Sequence, residues 1–373
     1  MSNFIPILSI ALALSFIIVF FITRRLIISG RPKKPDISDI RPHDHLFFFR
    51  TSAWLDETEM EWKIPIHGWI YRPQNSSVRK AVLRSLLKSR YDLAPDEETE
   101  VNFSHRTNLL LADNIRRRKI SISLAGQTFA LPKSTANGHF STVLSISTKT
   151  FDNIPAGKTI GFHAITHPKD TRIFAGEVKL VSPDGISYIS DIDDTIKVSE
   201  VNNRKALFEN TFLNQFEAAA GMPELYRQLA SESASFHYVS SSPWHLYPPL
   251  LDFVDSSGFP WASFELKYIR LKDKSLFNLF RAGTETKPSQ IEPILLRYPR
   301  RRFVLLGDNG EQDPEVYSAL LRKYPQQIIK IFIRNVDGQS ATDNRFKEIF
   351  QGIEPDRWSI FTNPSELELS KLL

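Results

Sequence analysis

The sequence predicts an α/β protein in three parts: an N-terminal transmembrane helix, a β-sandwich-like domain, and a C-terminal domain built on a parallel sheet. Three observations predict it. Residues 4–22, FIPILSIALALSFIIVFFI, carry no charge. From about 45 to 185, short segments alternate apolar with polar residues and end in Gly, Pro or Asn, as antiparallel strands and turns do. From about 186 onward, apolar strands alternate with helical stretches, the pattern of βαβ units around a parallel sheet. A chain of 373 residues also exceeds one ordinary core.

As a helix, residues 4–22 would span roughly 28 Å, close to the hydrocarbon thickness of a bilayer. A cleaved signal peptide is the competing reading. No Lys or Arg precedes the run, the run exceeds a usual signal core, and no clear small-residue cleavage site follows it. Residues 1–24 are therefore expected to form a transmembrane anchor. Arg24, Arg25, Arg31, Lys33 and Lys34 follow the run, which predicts a single-pass membrane protein with its C-terminal bulk facing the cytoplasm. Residues 25–44, containing RPKKPDISDIRP, read as a basic, proline-rich linker. The same five charges match the formal net charge of +5, so the rest of the chain is near neutral. No nucleic-acid partner is expected without a basic excess to neutralise phosphates. The absence of cysteine excludes disulfides and thiolate metal sites.

Residues 45–185 are expected to be a β-rich accessory domain, with strands in FFFRTSAW, KIPIHGWIYRP, ISISLAGQTFALP, STVLSIST and KTIGFHAIT. Nothing in them names a protein partner. One insertion, SSVRKAVLRSLLKSRYDL, places Val78, Val82 and Leu86 at helical spacing among Arg79, Lys80, Arg84 and Lys88. It suits packing on the β domain with a solvated basic face, or lying on an anionic membrane. His43 and His45 in RPHDH have spacing a metal could use, but no third ligand accompanies them.

Residues 186–373 form the parallel-sheet domain, with strands in ISYIS, SFHYVS, RFVLLGD and IIKIFI and helices over 204–217, 223–232, 289–298 and 313–323. Ligands of such sheets bind beyond the C-terminal strand ends, and four motifs fall there. Asp191-Ile192-Asp193-Asp194-Thr195 follows the first strand. Ser240, Ser241 and Ser242 close the second. Lys287 precedes Pro288 at a helix start, a position that suits proline and attracts anions. Gly307-Asp308 ends a later strand, with Asp313 five residues on.

Each part suits phosphoryl transfer. Asp191 and Asp308 can offer the hard oxygen ligands that Mg²⁺ requires. A carboxylate nucleophile splits the displacement into two steps, and a second carboxyl can shuttle the proton. Ser and Lys can hold and neutralise phosphoryl oxygens.

DIDDTI, the post-strand serine, the helix-initial lysine and GDNGEQD occur in the order of the four motifs of haloacid dehalogenase-like phosphatases. More narrowly, ISDIDDTIKVS, SSSPWHLYP and FVLLGDNGEQDPEVY, over roughly 175–335, resemble the actin-patch phosphatidate phosphatase catalytic-domain family. The resemblance implies a haloacid dehalogenase-like fold, with Asp191 as nucleophile and Mg²⁺ ligand. It implies Asp193 as general acid/base and backbone Mg²⁺ ligand, Ser240 as phosphate donor, Lys287 as charge neutraliser, and Asp308 with Asp313 as metal ligands. Thr195 would orient the loop, and Ser241 is an alternative to Ser240 because three serines are consecutive. Asp194 reads as a loop residue, while Trp244 and His245 suit substrate contact and packing equally.

The larger excursion, 243–286, alternates Trp261, Phe264, Phe277 and Phe280 with Lys267, Lys272, Lys274 and Arg281. That composition suits an anionic lipid interface or an ordinary packed lid. The resemblance implies an Mg²⁺-dependent hydrolase converting phosphatidate to diacylglycerol and phosphate at a membrane surface, with anionic phospholipid as partner. A tethered phosphatase of soluble or protein phosphomonoesters and a non-catalytic membrane scaffold are the alternatives.

Overall fold

The computed structural model describes residues 37–73, 77–269, 286–339 and 343–369. Its first part contains β1 (His45–Phe48), β2 (Thr51–Asp56), β3 (Glu61–Arg72), α1 (Ser77–Tyr91), α2 (Glu100–Leu110), β4 (Asp113–Asn114), β5 (Ser121–Leu124), β6 (Gln127–Ala130), β7 (His139–Ser147), β8 (Thr159–Ala164) and β9 (Ala175–Leu180). The strands join one sheet in the order β1-β3-β2-β9-β8-β5-β6, with β4 and β7 also paired to β3. Period-two alternation sets the faces: β8 buries Ile160, Phe162 and Ala164 and turns Thr159, Gly161 and His163 outward. Ile64 and Ile66 of β3, Leu144 of β7, Ile122 of β5 and Val178 of β9 share one apolar core. The two arms of the sheet thus fold over each other in sandwich-like fashion.

Residues 38–44 of the expected linker are packed against this sheet. Ser38 exchanges hydrogen bonds with the backbone of Ser121. The fully buried Asp44 carboxylate pairs with Arg72 at 2.7 Å and Arg118 at 3.1 Å.

The helix expected within 76–93 is α1, but Val78 and Val82 of the expected apolar stripe do not face inward. Val78 and Val82 are 70% and 55% exposed, whereas Leu83 and Leu87 are buried. The latter two meet Phe103 and Leu110 of α2 and, from the second sheet's layer, Phe208 and Phe212. The apolar spacing fits both stripes, and only the position of the neighbouring helices chooses between them.

The second part contains β10 (Ile186–Ser190), α3 (Arg204–Phe212), α4 (Met222–Leu229), β11 (Ser235–Pro243), α5 (Tyr247–Ser256), β12 (Ala262–Lys267), α6 (Thr286–Arg297), β13 (Arg302–Asp308), α7 (Asp313–Lys323), β14 (Ile328–Arg334), α8 (Asn344–Ile349) and β15 (Trp358–Phe361). Its six strands run parallel in the order β12-β11-β10-β13-β14-β15. Both faces are covered, so the strands are apolar throughout: Tyr188 packs on the α4–α5 side and neighbouring Ile189 on the α6–α7 side. Winding proceeds outward from β10 through β11 and β12, then returns to β13 on its other flank. That reversal places a crevice beyond the C-terminal ends of β10 and β13.

Two sequence expectations are corrected here. The 243–286 excursion is not a cap as far as Lys267: α5 and β12 complete a βαβ layer, and Phe264 lies buried in the sheet. Trp261 donates to Glu177 of β9 at 3.0 Å, tying the two sheets together. Residues 270–285 lie outside the described residues. The transmembrane architecture and the single-pass localisation are likewise not upheld, since among the described residues no helix is long and apolar enough to cross a membrane. The longest, α1, has 15 residues, five of them Lys or Arg, against the roughly 20 apolar residues a span needs. The 4–22 run behind those expectations lies outside the described residues.

Candidate active site

The carboxyl ends of β10 and β13 deliver Asp191 and Asp308, and the first residue of α7 is Asp313. One carboxylate oxygen from each of these three buried residues lies within 4.8 Å of the others. Gly307 makes the approach of Asp313 feasible, because a Cβ there would collide with the Asp313 and Tyr317 side chains. Asp308 accepts from the amides of Gly310 and Glu311 at 2.8 and 3.2 Å and from the Thr195 hydroxyl at 3.4 Å. Asp313 accepts from the Asp308 amide at 3.3 Å.

Lys287, near the start of α6, is the cation of this group. Its ammonium lies 2.9 Å from Asp191 Oδ1 and 3.1 Å from Glu311 Oε2, and it also pairs with Asp313. One lysine therefore faces three carboxylates. Burial raises the Asp191 carboxyl well above its ordinary range; Lys287 opposes this, and the neighbouring acids add to it. Asp308 is raised in the same way, by burial first and then Asp313. Burial alone would weaken the Lys287 charge, but Asp191, Asp313 and Glu311 hold its pKa well above the lysine value.

Asp191 Oδ2 is buried and has no hydrogen-bond partner within the protein. Crowded hard oxygens with one aimed at nothing fit a small divalent cation such as Mg²⁺ better than a purely structural ion-pair cluster, since like charges packed in low dielectric raise each other's ionisation cost.

Asp193 belongs to a second cluster. Lys197 Nζ lies 3.0 Å from Oδ1 and the Ser199 hydroxyl donates to Oδ1 at 2.8 Å. The Ser240 and Ser242 hydroxyls donate to Oδ2 at 3.0 and 2.9 Å. Burial would raise this carboxyl, but Lys197 and the hydroxyl donors hold it down at about 2. Ser241 does not join, and its buried hydroxyl has no partner. Alternation along β11 thus places Ser240 and Ser242 on the site's side. Asp194, read as a loop residue, organises the loop: at φ 57° its carboxylate accepts from the amides of Ser199, Glu200 and Val201 at 2.6–2.8 Å.

The structure therefore brings Asp191, Lys287, Asp308 and Asp313 together, sets Thr195 against Asp308, and joins Asp193 to Ser240. Sequence reasoning assigned no role to Lys197, Ser199 or Glu311, although all three stand inside motifs it singled out. The spacing of Asp193 and Lys197, four residues apart, was the available signal. His245 and Trp244 are buried, with a ring nitrogen of each unpartnered, and His245 packs 5.0 Å from the Trp69 ring. His43 and His45 form no metal-holding group among the described residues.

Residues 186–335 match the family "Phosphatidate phosphatase APP1, catalytic domain". Over 171 residues, 45% of this chain, the protein is 33% identical to an uncharacterized protein of Schizosaccharomyces pombe, matching 28% of that protein. Over 158 residues, 41% of this chain, it is 34% identical to phosphatidate phosphatase APP1 of Saccharomyces cerevisiae, matching 26% of that protein. The matched stretch is thus about a quarter of each relative's length. Among solved structures, a putative β-phosphoglucomutase from Thermotoga maritima aligns with 51% of this chain and all of its own, at 11% identity and a TM-score of 0.30, a likeness too slight to build on. The matched stretch holds every residue of the two acid clusters, and over that stretch the chain is similar to the phosphatidate phosphatase APP1 catalytic domain.

Proposed function

We propose that the protein is an Mg²⁺-dependent phosphatase that hydrolyses phosphatidate to diacylglycerol and inorganic phosphate through an aspartyl-phosphate. The observation that carries this reading is the buried meeting of Asp191, Asp308 and Asp313 around Lys287, with Asp191 Oδ2 left unpartnered. The family of the matched stretch supports the substrate class.

The Asp191 carboxylate attacks phosphorus, and the bond to the ester oxygen breaks. Asp193, in its protonated form, gives the departing alkoxide its proton. Asp193 then takes a proton from water as that water attacks the acyl phosphate, which frees Asp191 and releases phosphate. Ser240 and Ser242 donate hydroxyls where the phosphoryl oxygens would lie, and Lys287 offsets their charge. Asp191, Asp308 and Asp313 would hold Mg²⁺, which supplies positive charge beside the phosphoryl group. Because Lys197 and the hydroxyls keep Asp193 ionised in the free enzyme, it must gain a proton and turn from that cradle to act as the acid.

The test is phosphate release from phosphatidate in mixed micelles with Mg²⁺, with Asp191→Asn as control. Release by the wild type and none by the variant is the expected result. Activity on soluble phosphomonoesters alone would sink the lipid assignment, and release from neither would sink the phosphatase reading.

A further inference from the structure

The helices α1 and α2, inserted into the β-rich sheet and outside the family match, reach the loop that carries Asp193. Arg106 on α2 is buried and its Nη1 donates to the carbonyls of Thr211 at 3.0 Å and Asn214 at 2.7 Å. Its guanidinium carbon sits 3.9 Å from the centroid of the Phe216 ring. The ammonium of Lys197 lies 4.9 Å from the same centroid and 3.0 Å from Asp193. The backbone joins these groups as well: Val198 donates to Glu217 and Ala219 to Ile196, so the segment after Phe216 is paired with the strand-like stretch holding Lys197. Asn102 of α2 donates to Leu213 at 2.9 Å, and Leu83, Leu87, Phe103 and Leu110 pack on Phe208 and Phe212.

We propose that Arg106 is a positioning residue for Asp193, acting through Phe216 and Lys197, so that the helical insertion of the β-rich part is a working component of the phosphatase site. Both cations are attracted to the electron-rich ring. Arg106 fixes the 211–216 segment from outside, the ring limits where the Lys197 ammonium can stand, and Lys197 fixes the carboxylate. A buried arginine bonded to carbonyls and a ring, with no carboxylate among those contacts, is costly to desolvate. Simple helix packing already provided by the leucines and phenylalanines gives no reason for it.

The kinetic part of this inference rests on the phosphatase reading, so the test has two arms. In the first, turnover of p-nitrophenyl phosphate is measured for wild type, Arg106→Ala, Arg106→Lys, Phe216→Leu, Lys197→Met and the Arg106→Ala/Lys197→Met double variant. Arg106→Ala is expected to lower kcat at least tenfold with KM changed less than twofold, Arg106→Lys to recover part of the loss, and the double variant to be no slower than Lys197→Met alone. In the second arm, amide hydrogen exchange is followed over 191–201, which needs no activity. Arg106→Ala and Phe216→Leu are expected to speed exchange there at least fivefold while the amides of β13 and β14 are unchanged. A wild type that releases no phosphate sinks the phosphatase reading and leaves the exchange arm to decide this one. Multiplicative losses in the double variant, a change confined to KM, or unaltered exchange over 191–201 would each overturn the positioning role.

Discussion

Asp191 and Asp193 stand two residues apart and answer to different cations: Lys287 lies 2.9 Å from Asp191 Oδ1, and Lys197 lies 3.0 Å from Asp193 Oδ1. The consequence is a division of charge. Asp191 shares its lysine with Glu311 and Asp313 and is pushed upward in pKa, while Asp193 has hydroxyl donors besides its lysine and is pushed down to about 2. Environments that separate two acids in this way mark them for different tasks.

Asp191→Asn removes the proposed nucleophile and one of three carboxylates around one lysine. Phosphate release should fall by about a thousandfold or more. Relief of like-charge crowding should at the same time raise the unfolding temperature of the metal-free protein. Calorimetry in chelator, beside the activity assay, checks both outcomes.

Mg²⁺ should stabilise the protein and a chelator should remove that gain. At a hundred times the dissociation constant the linkage is worth about 2.7 kcal/mol. Asp308→Asn should abolish most of the Mg²⁺-dependent rise in unfolding temperature, because it deletes a ligand that the backbone of Gly310 and Glu311 already holds in place.

The three serines should separate cleanly. Ser240→Ala and Ser242→Ala each remove a donor to Asp193 Oδ2 and should lower kcat/KM by roughly ten- to a hundredfold. Ser241→Ala deletes a buried, unpartnered hydroxyl and should leave kcat unchanged while stability holds or rises by up to ~1 kcal/mol. Steady-state kinetics and urea unfolding on the three variants measure this.

Arg301 anchors the opposite end of the parallel sheet. Almost wholly buried, it donates to Ser187 Oγ at 2.7 Å and to the carbonyls of Ser182 and Ser233 at 2.8 and 2.7 Å, and it also bonds Asp184 and Ile186. Arg301→Met strands those acceptors and should cost about 3 kcal/mol or more. Urea unfolding would show the loss, and kcat per folded molecule should stay within twofold, since the site lies at the other end of the strands.

Acid should destabilise the protein through its interior histidines. Burial lowers His67 to about 3, His139 to about 2 and His245 to about 4. Each is neutral in the fold but protonates near 6.5 when unfolded, so its contribution is complete above pH 6.5 and is lost as pH falls toward the folded value. The slope is about 1.4 kcal/mol per pH unit for each group. Unfolding midpoints between pH 7 and 5 should fall accordingly, and more gently in His139→Asn.

Much of the parallel-sheet part could be read in advance. ISYIS, RFVLLGD and IIKIFI are short apolar runs bounded by turn residues, and they became β10, β13 and β14 within a residue or two. β12 was missed because ASFELK mixes a Glu and a Lys into an edge strand, and such a strand needs only part of its surface apolar. The burial of α1 was misjudged for a related reason: two apolar stripes fit its sequence, and helical period cannot rank them. The transmembrane reading of 4–22 rests on the length and apolarity of the run and on the charges flanking it, and the described helices offer no span.

The candidate site divides along the same line. Its acids, serine and lysine, and their order, are legible in the chain because each motif is a contiguous stretch tied to the end of a strand or the start of a helix. Folding alone decides that Lys287 serves Asp191 rather than Asp193, that Ser242 rather than Ser241 faces the acid, and that Arg106 stands behind Phe216 and Lys197. Those facts depend on side chains from distant segments meeting in three dimensions, where a few ångströms of low-dielectric space determine which charge answers which.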